Sequence, residues 1–203
     1  MRRPSSRSGW RNCQPPDLHA LARQWFVHAR RIELQKLAVE LGISRATVYR
    51  WAGSADALVG EVLATLIDDT FTQLAERSTQ TGSKRVLDVL ERGMVYAHRF
   101  EPLRKFLVAN PQSGLRIVAS KHGPVQARTI ANLEQLLTEE VANGRLTLPV
   151  TPAVMAYALT RIIESFLYSD LIAGASPDLK SASKVLRMLL ESTDTREPQH
   201  AAN

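Results

Sequence analysis

The residues with the clearest chemistry lie in one short run, SRATVYRW, Ser44 to Trp51. Arg45 and Arg50 carry guanidinium groups able to donate to guanine edges or phosphates, and Thr47 and Tyr49 carry hydroxyls suited to phosphate oxygens. Read as a helix with Ser44 as its N-cap, the run turns Val48 inward and leaves Arg45, Thr47, Tyr49 and Arg50 largely on other sides. Such a face needs a partner element to hold it. Leu34, Leu37, Ala38 and Leu41 supply one, falling at i, i+3, i+4 and i+7 in a short amphipathic helix. Gly42 can end that helix, because glycine accepts the left-handed conformation at a helix C-terminus, and Ile43 can fill the gap behind it. Two short helices joined by a Gly-containing turn, apolar at their crossing and polar on the second helix's outer face, make a helix-turn-helix. The candidate DNA-binding residues are therefore Lys36, Ser44, Arg45, Ala46, Thr47, Tyr49, Arg50 and Trp51. The competing reading is a helical hairpin with a solvated polar face.

Charge separates the two readings. The 203-residue chain has a formal net charge of +6, and all of that excess sits in residues 1–60, with ten Lys/Arg against four Asp/Glu. A local basic field of this kind attracts polyanions. Removing residues 1–14, an Arg/Ser/Pro-rich stretch read as a disordered basic arm, should weaken DNA binding mainly at low salt.

The rest of the chain must position this face. Hydrophobic residues make up 44% of the sequence, enough for a packed core, and the apolar residues recur at helical spacing without hairpin signals. The expected fold is all-α: a three-helix helix-turn-helix domain over residues 15–54, then a helical domain over 55–192, with about nine helices, and a flexible tail over 193–203. Pro15-Pro16-Asp17 reads as a stop and an N-cap for a first helix near Leu18 to Arg30. Ser54 reads as the cap of a long helix from Ala55 to Arg77. Later helices are expected over Lys84 to Phe100, Pro102 to Ala109, Pro111 to Ser120, Pro124 to Ala142, Thr151 to Ala173 and Asp178 to Glu191, punctuated by Pro and Gly. The apolar stretches are interrupted by charges before the roughly 18 residues a membrane span requires, and the N-terminus lacks the apolar core of a signal peptide. A cytoplasmic protein with no membrane contact is expected. The single Cys13 offers neither a disulfide framework nor a metal cluster, and no cofactor or metal site is expected.

The match LQKLAVELGISRATVYRWAGSADAL, Leu34 to Leu58, resembles the TetR family of bacterial transcription regulators, through Gly42, Ile43, Ser44, Ala46, Thr47, Val48, Tyr49, Ser54, Asp56 and Leu58. Two departures stand out: Ala52 and Ala55 occupy positions where that family often has Phe and Lys. The latter removes a usual phosphate contact, and Trp51 is expected to replace the missing aromatic bulk. The wording RATVYRW, MVYAHRFEPLRKFLVANP and SKHGPVQARTIANLE is similar to the QsdR-like branch, which regulates degradation of lactone quorum-sensing signals. The resemblance implies a nucleoid-associated bacterial homodimer that binds a double-stranded DNA operator and responds to a small-molecule inducer, an alkyl or acyl lactone for the narrower branch.

Thr151 to Ala173 is apolar nearly all around, so it requires two partners, its own domain and a second subunit. With the last helix it gives an expected homodimer interface over residues 151–173 and 178–191. Tyr157, Arg161, Glu164 and Tyr168 form a polar stripe on it, read either as the wall of a ligand pocket or as an Arg161–Glu164 pair at the interface rim. Tyr96, Arg99, Phe100, Phe106 and His122 are further ligand-binding candidates. A ligand-released repressor is the favoured function, with a ligand-insensitive architectural DNA binder as the alternative. No Ser-His-Asp spacing, Gly-rich phosphate loop or paired-carboxylate frame supports an enzyme.

Overall fold

The structure, a computed structural model, describes residues 15–121 and 123–191. The arm at 1–14, His122 and the tail at 193–203 lie outside the described residues. Eleven helices and no strand are found among those described: α1 Pro15–Val27, α2 Leu34–Leu41, α3 Arg45–Ala52, α4 Ala55–Arg77, α5 Gly82–Arg99, α6 Glu101–Ala109, α7 Pro111–Ala119, α8 Pro124–Ala142, α9 Pro152–Leu167, α10 Ser169–Ala173 and α11 Leu179–Glu191.

Local chemistry explains most boundaries. Pro15 and Pro16 fall inside the first turn of α1, where a missing N–H costs no helical bond, so Asp17 lies in that turn and is not the cap expected. The helix stops at Val27, three residues early. Ala29 takes φ 54°, its N–H donates to the Phe26 carbonyl (2.9 Å), and the Arg30 N–H donates to the Trp25 carbonyl (2.8 Å). This is the double bond of a Schellman ending, formed without glycine. α2 ends the same way at Gly42, φ 67°, with bonds to Val39 (3.1 Å) and from Ile43 to Ala38 (3.0 Å). Ser44 then opens α3, its Oγ accepting the Thr47 N–H at 3.1 Å.

One core joins the first three helices to the body of the molecule. Leu18, Ala22, Trp25 and Phe26 of α1, Leu37 and Ala38 of α2, and Val48 of α3 pack with Leu58, Val62 and Leu63 of α4, and the same cluster continues into Leu107 of α6 and Ile117 of α7. α4 contacts α1, α5, α7 and α8, so it crosses from the helix-turn-helix into the larger helical body. A second core lies there, built from Val86, Leu87, Leu90 and Met94 of α5, Leu133 and Leu137 of α8, Met155 and Leu159 of α9, and Leu186 and Leu190 of α11.

α5 begins at Gly82, two residues ahead of the expected start. Its first N–H donates to the fully buried Glu140 carboxylate at 2.7 Å, which also accepts from Arg85 at 2.6 Å and pairs with Arg145 at 3.0 Å. Gly82 sits at φ 60°, and a Cβ there would collide with the Arg145 carbonyl oxygen. The run expected as one helix from Thr151 to Ala173 breaks at Tyr168 into α9 and α10.

Candidate nucleic-acid interface and ligand cavity

α3 offers the polar face that its sequence describes. Val48 is fully buried, while Ser44, Arg45, Ala46, Tyr49 and Arg50 are exposed. Thr47 is half-buried, its hydroxyl 2.9 Å from Ser44 Oγ, beside the capping bond that Ser44 makes to the Thr47 N–H. Lys36 is exposed and pairs with Glu33 at 2.8 Å; that hydrogen bond holds the Glu33 carboxyl below its ordinary pKa. Exposed pairs of this kind are weak, so a phosphate can displace Glu33 at little cost. Trp51 is half-buried and packs on the first core beside Ala52.

Two further basic residues of this region, Arg30 and Arg23, are held in structural contacts. The Arg30 guanidinium stacks 3.9 Å over the Trp25 ring and lies 3.7 Å from Glu40, and Arg23 pairs with Asp69 of α4 at 2.6 Å. The helix that follows α3 is held as well. Ser54 caps α4 by accepting the Ala57 N–H at 3.0 Å, Asp56 in its first turn pairs with Arg116 of α7 at 2.9 Å, and Asp68 accepts from Arg128 (3.0 Å) and Asn132 (2.8 Å) of α8.

Between α4 and the helices α5 to α9 lies a cavity of 170 Å³. Its walls are apolar over most of their area, among them Ile67, Phe71, Met94, Val118, Leu133 and Ile163. Of the sequence-derived ligand candidates, Tyr96, Phe100, Glu164 and Tyr168 line it. Arg99 faces an outer groove that Tyr96 and Phe100 also border, the two rings being stacked with centroids 5.7 Å apart. Phe106 instead packs edge-on against Phe26 at 5.9 Å. Tyr157 and Arg161 do not line the cavity; Tyr157 is 49% exposed and Arg161 is turned outward enough to be nearly half exposed. His122 falls outside the described residues.

The stripe on α9 therefore divides. Shared helical phase fixes a direction, not what lies opposite: Glu164 meets Gln126 of α8, whereas Tyr157 meets solvent. The buried Glu164 carboxylate accepts from Gln126 Nε2 at 2.9 and 3.0 Å and from Arg161 Nη1 at 2.5 Å. Burial raises the Glu164 pKa above its ordinary value, the Gln126 bond and the Arg161 charge opposing it. Burial, with the charge of Glu164 behind it, likewise pushes the Tyr168 hydroxyl well above its usual range. The Gln126 amide also donates to the Ala119 carbonyl at the end of α7, at 3.2 Å.

Thr160 is a lining residue that sequence reasoning missed. It is 1% exposed, and its hydroxyl has no hydrogen-bond partner among the described residues. Thr160, Glu164 and Tyr168 recur at i, i+4 and i+8, a signal readable in the sequence but masked by the habit of threonine hydroxyls to bond within their own helix. Among the described residues, no Lys, Arg or His lines the cavity. No group of His, Cys, Asp or Glu suited to a metal ion is found among them, and no helix of theirs is long and apolar enough to cross a membrane.

A family model described as the tetracyclin repressor-like C-terminal domain matches residues 81–191. No curated protein matches the chain. Among solved structures, the transcriptional repressor QsdR of R. erythropolis, from the TetR family, is similar over 92% of this chain and 97% of that one, with 27% identity and a TM-score of 0.83. The reduced form of E. coli NemR is similar over 87% and 97%, with 16% identity and a TM-score of 0.53. Bacillus subtilis FadR in complex with stearoyl-CoA is similar over 87% and 98%, with 12% identity and a TM-score of 0.52. The last two share the fold.

Proposed function

The chain belongs to the TetR family of transcription regulators, and from that premise we propose that it is a ligand-responsive, sequence-specific repressor acting as a homodimer. Residues 15–54 form its DNA-binding domain, with Arg45, Ala46, Tyr49 and Arg50 at the DNA and Lys36, Ser44 and Thr47 at phosphates, while the helices from Ala55 onward dimerise and enclose the inducer. Two reader helices about 34 Å apart, or a related multiple, would grip a pseudo-palindromic operator in the bacterial cytoplasm, at the nucleoid.

One observation carries this reading: α4 lines the cavity with Leu63, Ile67 and Phe71, and the same helix begins three residues beyond α3. A ligand that moves α4 moves the reader. Release requires the ligand to prefer the geometry that does not bind DNA, by coupling of about 1–3 kcal/mol in comparable systems. The likeness to R. erythropolis QsdR supports repression, and the resemblance of the sequence to that branch favours an alkyl or acyl lactone as inducer. The exposed side chains of Val154 and Tyr157 on α9 and Met188 on α11 support a partner subunit on that face.

A gel-shift titration of the full chain on its own upstream DNA, with and without a panel of alkyl and acyl lactones, tests the proposal. Retarded DNA released by a lactone is the expected result. Retarded DNA that no small molecule releases would favour a ligand-insensitive architectural binder, and no shift at low salt would overturn the DNA-binding reading.

A further inference from the structure

The chemistry of the inner wall of α9 narrows what the cavity accepts. We propose that the cavity selects a small ligand with an uncharged head group that donates a hydrogen bond, placed against Thr160 and Glu164, and rejects carboxylates of the same size. This rests on the reading of the cavity as the effector site and narrows it: among lactones it favours one whose acylamino group carries an N–H, over an alkyl lactone, which only accepts.

Three observations converge. First, Glu164 lines the cavity as a carboxylate-bearing side chain whose oxygens already accept from Gln126 and Arg161. A carboxylate has about four acceptor sites, so at least one remains for a donor from the ligand. It offers nothing to a second carboxylate except repulsion. Second, the Thr160 hydroxyl, one turn away on the same face, is buried with no partner among the described residues. A buried hydroxyl left unbonded is costly, and a ligand that completes its bond recovers that cost. Third, no Lys, Arg or His among the described residues lines the cavity to neutralise an anion. A cationic head fares little better, because Arg161 already pairs with Glu164 at 2.5 Å and a buried ammonium would lose its water.

Size fixes the remainder of the ligand. An engineered apolar cavity of about 150 Å³ encloses benzene, so 170 Å³ suits a head group and a short apolar tail of similar bulk. Anything longer would extend toward the outer groove past Tyr96 and Phe100, which border both spaces.

The test is calorimetric titration of the full-length protein, without DNA, with four probes that share one tail: hexanamide, methyl hexanoate, sodium hexanoate and hexylammonium. Hexanamide should bind about tenfold or more tighter than methyl hexanoate, which accepts but does not donate, and the two ions should bind more weakly still. Thr160→Val should weaken hexanamide severalfold. Glu164→Gln should strengthen hexanoate at least about tenfold relative to hexanamide, its fold checked by thermal unfolding. Hexanoate or hexylammonium binding the wild type as tightly as hexanamide would overturn the proposal, as would no binding by any of the four. An amide that binds and leaves DNA affinity unchanged would instead sink the effector reading and leave this selectivity standing.

Discussion

The Arg116 guanidinium lies 2.9 Å from the Asp56 carboxylate and joins the last turn of α7 to the first turn of α4, the helix that follows the reader helix. The same turn of α7 is tied to the cavity, because the Ala119 carbonyl accepts from the Gln126 amide that holds Glu164. One turn of this nine-residue helix thus touches both the polar cluster of the cavity and the root of the DNA-binding unit.

The Arg116–Asp56 pair is a lever for communication and a poor source of stability. Its side chains are 71% and 45% exposed, and exposed pairs contribute about 0–1 kcal/mol. Arg116→Ala should therefore leave thermal unfolding nearly unchanged while reducing, severalfold, the factor by which a bound inducer weakens operator affinity. Operator titrations with and without inducer, run beside melting curves, measure both. An unchanged factor would remove α7 from the route.

Within the reader, Arg50→Ala should cost about 1–3 kcal/mol on the specific operator and relax sequence preference at one base position, if Arg50 reads a base edge. Arg50 is exposed on the helix whose Val48 is buried, so this substitution leaves the core untouched. Affinities measured on operator and on random DNA decide the role. An equal loss on both would assign Arg50 to phosphate.

Glu140 and Glu164 are both buried carboxylates and shift in opposite directions. Burial alone would raise the Glu140 pKa, but the Arg85 hydrogen bond, the Gly82 N–H and the nearby Arg145 outweigh it, and the value is lowered. Its contribution to stability is then full above the ordinary glutamate range and is lost as pH falls through the lower, folded value. Removing one partner from a buried network costs about 3–5 kcal/mol, and Glu140→Ala belongs at the low end because Arg145 reaches solvent. The destabilisation should be greatest near neutral pH and shrink on acidification, read from denaturant midpoints at several pH values. For Glu164, whose pKa is raised, the contribution is full below the ordinary range and fades as pH rises through the folded value, so Glu164→Gln should gain relative to wild type toward neutral pH.

How much of the fold is legible in the sequence depends on the range of each signal. Gly42 and Ser44 announce the helix-turn-helix because an αL ending and an N-cap are decided by one residue each. The ending at Ala29 is illegible for the same reason, since nothing in an alanine declares φ 54°. Tertiary contacts are harder again. The early start of α5 depends on Glu140, 58 residues away, and the break at Tyr168 has no Pro or Gly to mark it. In the cavity, Tyr157 and Glu164 share a phase in sequence, yet only Glu164 has Gln126 opposite it. Pattern places residues on a face; only packing places a face against a cavity.

The exposed ridge of the last helices makes the final prediction. Val154, Tyr157 and Met188 are 53%, 49% and 63% exposed, on helices whose opposite faces carry the buried Leu159, Leu186 and Leu190. Isolated exposed apolar residues are ordinary, and three on two helices that pack against each other are expected to form a patch of the kind that two-fold interfaces cover. A glutamate at such a half-exposed position keeps its charge in water in the monomer, yet in a dimer it buries an unpaired charge close to its own symmetry mate. Tyr157→Glu should therefore keep the helical content and melting cooperativity of a folded chain while shifting sedimentation from dimer to monomer at micromolar concentration. Operator binding should fall in parallel, because one reader helix retains only half of the site. A Tyr157→Glu protein that still sediments as a dimer would move the interface away from α9 and leave that patch to another partner.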